Sequence, residues 1–180
     1  DNAILTAQKS QENVHRNLCL MLGWSADAQP EIKEVPQPDL SRIDTLDPNA
    51  DAQTAIDNNY DVKYYTKKAG NLASQDLIES NQATLANAKD TAVRSLKTQY
   101  NTVLTTRDAL NAAKAQLQVA EANLNIAQAN LAVGSQTSLQ YQSTLNTYTA
   151  AKNGVNTKQL QLLLALEAYD WNVKGLTTSN

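Results

Sequence analysis

The stretch LKTQYNTVLTTRDALNAAKAQLQVAEANLNIAQANL, residues 96–131, sets Leu96, Val103, Leu110, Leu117, Leu124 and Leu131 at unbroken intervals of seven. Ala92, Ala113, Ala120 and Ala127 make a second row of small residues on the same face. Spacing by seven keeps one apolar stripe against a partner helix, because a slightly under-wound helix holds 3.5 residues per turn. Neither Pro nor Gly interrupts the run before Gly134. Beyond it the period resumes, with Tyr148, Val155, Leu162, Tyr169 and Leu176 in one row and Leu145, Lys152, Gln159, Leu166 and Val173 in another. Two long helices joined by the tight turn Val133-Gly134-Ser135-Gln136-Thr137-Ser138 account for this pattern. The predicted fold class is all-α, built from long antiparallel coiled-coil hairpins with a Pro-rich connector.

Composition agrees. The chain has 180 residues, of which seven are Tyr, two Trp and none Phe. Ala, Leu, Asn, Gln and Thr suit a narrow helix–helix seam better than a globular core, where Phe and Ile are the usual filling. A net charge of −3 argues for neither a nucleic-acid surface nor a strongly acidic tail. Cys19 is the single cysteine, so no internal disulfide can form. Apolar runs such as Leu162 to Leu166 fall far short of the roughly 20 residues that span a bilayer. No stretch reads as a signal peptide. The chain opens at Asp1 within a helical pattern, as a processed or trimmed piece would.

Working outward, residues 3 to 22 carry Ile4, Ala7, Val14, Leu18, Met21 and Leu22 at helical spacing, with Gly23 as C-cap. This reads as the return helix of a truncated first hairpin (1–23), its apolar stripe left without the helix it was built against. All four prolines (Pro30, Pro36, Pro38 and Pro48) lie in the connector 24–49, where 31–35 alternate as a short strand would. Asp47-Pro48 reads as an N-cap followed by the first helical residue. A helix over 49–69 follows, with a bend marked by Asn58-Asn59. At Gly70-Asn71 two readings stand: a reversal with Ser74 capping the next helix, or one unbroken helix, since a single Gly costs only about 1 kcal/mol. The segment 50–176 is thus a short upward helix plus the long hairpin, its tip at 133–138, and 177–180 is a tail. The last helix, Ser138 to Lys174, has a leucine cluster at 160–166 broad enough to need neighbours on both flanks.

Candidate chemistry is sparse. His15 and Cys19 sit four apart on one helix face, but two ligands do not make a zinc site, which takes three or four. The five glycines stand apart, so no phosphate-cradling loop exists. No catalytic constellation and no cofactor site is expected. Tyr60, Tyr64 and Tyr65 beside Lys63, Lys67 and Lys68 read either as a buried aromatic girdle or, less simply, as a stacking surface for nucleic acid or polysaccharide. One feature is unusual: the thirty residues from Ala122 to Ala151 carry no charge, centred on the turn. A solvent-exposed tip ordinarily carries Lys and Glu for solubility. Compositional drift in a chain rich in Asn, Gln and Thr is one account of the tract; a surface that a partner covers, and that therefore avoids burying unpaired ions, is the other.

These residues resemble a family. Leu124-Asn125-Ile126-Ala127-Gln128-Ala129-Asn130-Leu131-Ala132-Val133-Gly134, followed by Ser135-Gln136-Thr137-Ser138-Leu139, is similar to the second helical hairpin of TolC-type outer-membrane efflux proteins, with Val133-Gly134 at the tip. Leu160 to Trp171 looks like the returning helix, and Asn17 to Gly23 like the end of the first hairpin. The Pro-rich connector resembles the equatorial segment, and Asn58-Asn59-Tyr60-Asp61-Val62 the motif that opens the next upward helix. The resemblance implies an α-helical duct or stalk, homotrimeric when complete, in the outer membrane and periplasm. Such a duct passes drugs or secreted polypeptides and docks a membrane-fusion adaptor, and through it a transporter. It implies that the docking residues are Ala132, Val133, Gly134, Ser135, Gln136, Thr137, Ser138 and Leu139. It also places Gln140 and Ser143 on the lumen side near the tip, where family members narrow the tunnel with acidic residues, so no acidic gate is implied. The family's membrane β-barrel strands have no counterpart between Tyr64 and Val93. A barrel-less envelope scaffold that binds a partner without forming a conduit is the alternative.

Overall fold

The computed structural model describes residues 2–30 and 36–176. Those residues are helical, in turns or irregular, and no strand occurs among them. The alternating residues 31–35 and the tail 177–180 lie outside the described residues. The chain divides into two compact units, Asp1–Pro36 and Gln37–Asn180.

In the first unit, α1 (Asn2–Met21) ends where Gly23 turns left-handed at φ +74°. There Gly23 N–H donates to the Leu20 carbonyl and Trp24 N–H to the Cys19 carbonyl, so two of the last carbonyls are satisfied. The expected apolar stripe stands open to water, with Ile4 and Val14 about two-thirds exposed. Among the described residues of this unit Cys19 alone is buried, its Sγ 3.9 Å from His15 Nδ1 and 3.8 Å from the Ala28 carbonyl.

The second unit contains α2 (Leu40–Ile43), α3 (Ala52–Asn58), α4 (Tyr60–Ala69), α5 (Gln75–Ala132) and α6 (Ser138–Val173). At 1.5 Å per residue the 58 residues of α5 extend roughly 87 Å. α6 packs antiparallel along it, and the seam is the one the period predicts. Leu96, Val103 and Leu110 are buried from α5, as are Val155, Leu162 and Tyr169 from α6. The alanine row fills the narrower places: Ala92, Ala120 and Ala127 are buried.

At Gly70 the chain reverses. Ser74 caps α5 by accepting from Leu77 N–H, and α4 returns against α5 through buried Val62 and Asn81, whose Nδ2 donates to the Tyr65 carbonyl. The unbroken-helix reading is thereby excluded. The expected bend at Asn58-Asn59 is a full break: Asn59 is extended at φ −61°, ψ 132°, and its side chain accepts from Val62 N–H to start α4. One predicted helix is therefore two.

Four further expectations change. The connector holds a short helix, α2, which the prolines concealed; Asp39 caps it through Ser41 N–H and Oγ, and these bonds hold the Asp39 carboxyl below its usual range. Asp47 accepts from Asn49 and Ala50 N–H and opens a turn, but α3 proper begins only at Ala52. Within 160–166 only Leu162, Ala165 and Leu166 are buried, while Leu160 and Leu164 face solvent, because α5 and the connector cover one side of α6 and no element of this unit covers the other. The tyrosine girdle is not buried: Tyr60 is 73% and Tyr64 49% exposed, since α4 turns Val62 toward α5 instead.

Residues 37–58 form a strap across the base of the hairpin. Ile43 inserts beside Ala55, Leu162, Leu166 and Tyr169. Arg42 pairs with Asp170, which raises the guanidinium's affinity for its proton. Tyr169 Oη donates to Asp51 Oδ2 at 2.6 Å, and Asn58 Nδ2 donates to the Val173 carbonyl at 3.1 Å. Burial first, then the bond to Asp51, holds the Tyr169 phenol well above its usual range. These long-range bonds join segments more than a hundred residues apart and fix where the hairpin begins.

Candidate functional site

The tip is made by complementary helix ends. α5 stops because Gly134 adopts φ +75°, a left-handed conformation that costs an L-residue roughly 1–2 kcal/mol. Gly134 N–H then donates to the Leu131 carbonyl and Ser135 N–H to the Asn130 carbonyl at 2.8 Å. α6 starts with a capping box. Thr137 Oγ1 accepts from Gln140 N–H, and Gln140 Oε1 accepts from Thr137 N–H at 2.9 Å. Both ends of the turn are thus hydrogen-bonded from within, and the side chains between them are left for solvent or a partner.

All eight predicted tip residues lie together on this turn. Val133 is 75% and Leu139 81% exposed, the largest apolar groups there. Gln136 alone is partly covered; Ala132, Gly134, Ser135, Thr137 and Ser138 are open. Gln140 is occupied by the capping box, which gives it a structural task at the head of α6. Ser143 borders two adjoining hollows between the helices, of about 330 and 450 Å³, which share Gln136, Ser143 and Thr144.

A third hollow of about 650 Å³ continues up the same face, lined by Ala113, Val119, Ala150, Ala151 and Gly154. Sequence reading passed over this groove. Its signal was present in a second heptad row, Val119, Ile126 and Val133, which lies off the seam and is 59–75% exposed. A row of three large aliphatic groups on the water side of a helix is surface that the hairpin itself does not use.

None of the residues lining the tip and groove is charged, and the uncharged tract covers the final eleven residues of α5 and the first fourteen of α6. Their chemistry is limited to apolar contact and to bonds from amides and hydroxyls. Elsewhere, His15 and Cys19 share a face as their spacing requires, and no group of three metal-ligating side chains converges among the described residues. No described helix is long and apolar enough to cross a membrane. Compared with protein-family models, with curated proteins and with solved structures, the chain matches none of them.

Proposed function

We propose that this chain is the α-helical duct or stalk component of a TolC-like efflux or type I secretion system in the extracytoplasmic cell envelope. Its hairpin tip docks a membrane-fusion adaptor, and through that adaptor a transporter. The observation that carries the reading is the uncharged tip with Val133 and Leu139 exposed. Such a surface is covered by a protein partner without stranding an ion, whereas in open water it is a solubility burden. The exposed row Val119, Ile126 and Val133 supports assembly as well, because a duct closes only if each hairpin offers apolar flanks to its neighbours. In the complete protein the assembly is a homotrimer, and Ser143, beside Gln140, lines its lumen near the tip.

A second reading has its own support. α4 passes into α5 through the short turn 70–74, where a TolC-like protein would carry barrel strands. That favours a barrel-less coiled-coil scaffold, which binds a partner through the same tip and forms no conduit. Solution mass of the full-length protein separates the two, because a duct needs several copies and a scaffold does not.

The tip itself is tested by placing a photo-crosslinking residue at Ser135, and separately at Lys97 higher on α5, in the source cells. The Ser135 position is expected to capture a membrane-fusion adaptor, and Lys97 is not. Ser135→Asp is then expected to weaken binding of that purified adaptor at least about tenfold relative to Lys97→Asp, with helicity unchanged, since a buried unpaired charge costs several kcal/mol. Equal affinity of the two variants removes the tip's role.

A further inference from the structure

The turns at the two ends of α5 are built differently. At the tip, Gly134 is left-handed at φ +75°, a conformation that a right-handed helix cannot continue through. In the α4–α5 turn no residue has a positive φ. Gly70 keeps helical dihedrals, φ −70° and ψ −10°, and Asn71 N–H donates to the Lys68 carbonyl at 3.0 Å, so the chain coils on past Ala69. A Cβ on Gly70 would meet only the Lys67 carbonyl oxygen at 3.8 Å, so the closed turn does not require glycine there. Only residues 72–74 leave the helical path, and none of 70–74 is proline. Ser74, at φ −108° and ψ 144°, then caps α5 through a long bond of 3.4 Å from Leu77 N–H. α4 is lightly held as well. Val62 is its one buried side chain, and in the same interface Asn81 is buried with its Oδ1 unpaired, which weakens the closed pair.

We propose that residues 70–74 are a hinge at which two copies of this chain exchange their α2–α4 segments. In the exchanged dimer α4, the hinge and α5 form one helix over residues 60–132, roughly 110 Å long. The α4 of each copy lies on the α5 of the other, and the strap of residues 37–58 crosses with it. Arg42 to Asp170, Asp51 to Tyr169 and Asn58 to Val173 re-form between copies. Each of these contacts of the monomer is recovered, and the hinge gains helical hydrogen bonds that the turn lacks, so protein concentration decides the state. A second copy is the partner because the face that α5 uncovers on opening is shaped for α4 itself. Gly70, which the turn does not need, is unfavourable inside the longer helix and holds the hinge toward the closed form. Exchange is slow, because the strap must open first. The proposal rests on neither the duct nor the tip.

The test refolds the full chain from urea at millimolar and at micromolar concentration and reads its solution mass, with a dimer expected at the higher concentration. Chains spin-labelled at Lys63→Cys and chains labelled at Ala83→Cys, all carrying Cys19→Ser, are then refolded together. The short distance found when both labels sit in one closed monomer is expected between copies, whereas within one continuous helix the same positions lie roughly 30 Å apart. Gln75→Pro should leave the monomer's melting unchanged, because proline suits the first helical position and Ser74 already holds the extended conformation that precedes it. In the dimer that proline falls inside a helix at both hinges, so association should weaken at least about 100-fold. Ser74→Ala should strengthen the dimer at least about tenfold, since it removes a cap that only the closed turn uses. Should Gln75→Pro melt lower, Ser74→Ala decides alone. A duct's flank contacts are untouched by Gln75→Pro, so the two readings fail separately. Wild type and Ser74→Ala both monomeric at millimolar concentration, a dimer without the short distance between copies, or a dimer that Gln75→Pro leaves intact overturns the proposal.

Discussion

Replacing Gly175 by Ala should damage this fold far more than the same change at Gly134, although both end a long helix at nearly the same dihedral, φ +82° and +75°. The left-handed conformation costs an L-residue roughly 1–2 kcal/mol at either site, partly offset by the reduced freedom of the unfolded chain. Their surroundings differ. A Cβ on Gly134 meets nothing within 4 Å, whereas one on Gly175 lies 2.3 Å from the Asn58 carbonyl oxygen, 2.4 Å from its carbon and 2.8 Å from Asn59 N. All three are backbone atoms at the α3–α4 junction, so no side chain can swing aside. Relief requires a shift of about 1 Å, which costs roughly 1–3 kcal/mol as overpacking. It also strains the Asn58-to-Val173 hydrogen bond and the Asn59 cap, each worth about 1 kcal/mol. The sum is about 3–6 kcal/mol for Gly175→Ala against about 1 for Gly134→Ala. At roughly 2–4 °C per kcal/mol for a chain of this size, the melting temperature should fall by about 6–24 °C in the first and by about 2–4 °C in the second. Circular dichroism melts of the two variants read the difference directly. Equal melting temperatures would mean that the strap does not press on the end of α6.

Other outcomes follow from the same structure. Leu96→Ala and Leu110→Ala should each cost about 2–5 kcal/mol in urea unfolding, whereas Val119→Ala and Ile126→Ala should cost under about 0.5, because only the first pair lies in the seam. Tyr169→Phe should cost about 1 kcal/mol at neutral pH through the lost bond to Asp51. The folded protein holds the Tyr169 proton more tightly than the unfolded chain does. Its contribution is therefore complete below the unfolded phenol's pKa of about 10 and is lost as pH rises beyond it, so the stability gap between wild type and Tyr169→Phe should narrow in alkali. Hydrogen exchange should be orders of magnitude faster along α1, where Cys19 is the only described residue that is buried, than along α5 between Leu96 and Leu110.

The hairpin was legible because its information is local and periodic. A seven-residue repeat says which residues face a partner, and Gly134, which ends the run free of Gly and Pro, says where the chain turns. The strap was not legible, because its bonds join Arg42 to Asp170, Asp51 to Tyr169 and Asn58 to Val173, and no spacing rule connects residues so far apart. The short helix α2 was hidden for a related reason. Its four residues are held by the Asp39 cap and by Ile43 entering the core, neither of which leaves a periodic trace. The tyrosines were misread through composition, since aromatic residues are more often inside than out, and only the packing of α4 could show that Val62 had taken the buried side.

For the candidate surface the balance is different. Absence of charge is a property of sequence alone, and it singles out residues 122–151 around the turn. Geometry added that the exposed faces of α5 and α6 form one continuous trough, from Gln136 past Ser143 and Thr147 to Gly154. A glycine in the middle of a helix costs about 1 kcal/mol relative to alanine, and a Cβ at Gly154 would touch nothing. Gly154→Ala should therefore stabilise the isolated chain by about that amount, in contrast with Gly175→Ala. If the trough receives a partner's helix, Gly154→Leu should leave the melting temperature at or above wild type while weakening that partner's binding at least about tenfold. Stabilisation with undiminished binding would confine the docking surface to the turn at residues 132–139, because the space above Gly154 would then be free of any partner.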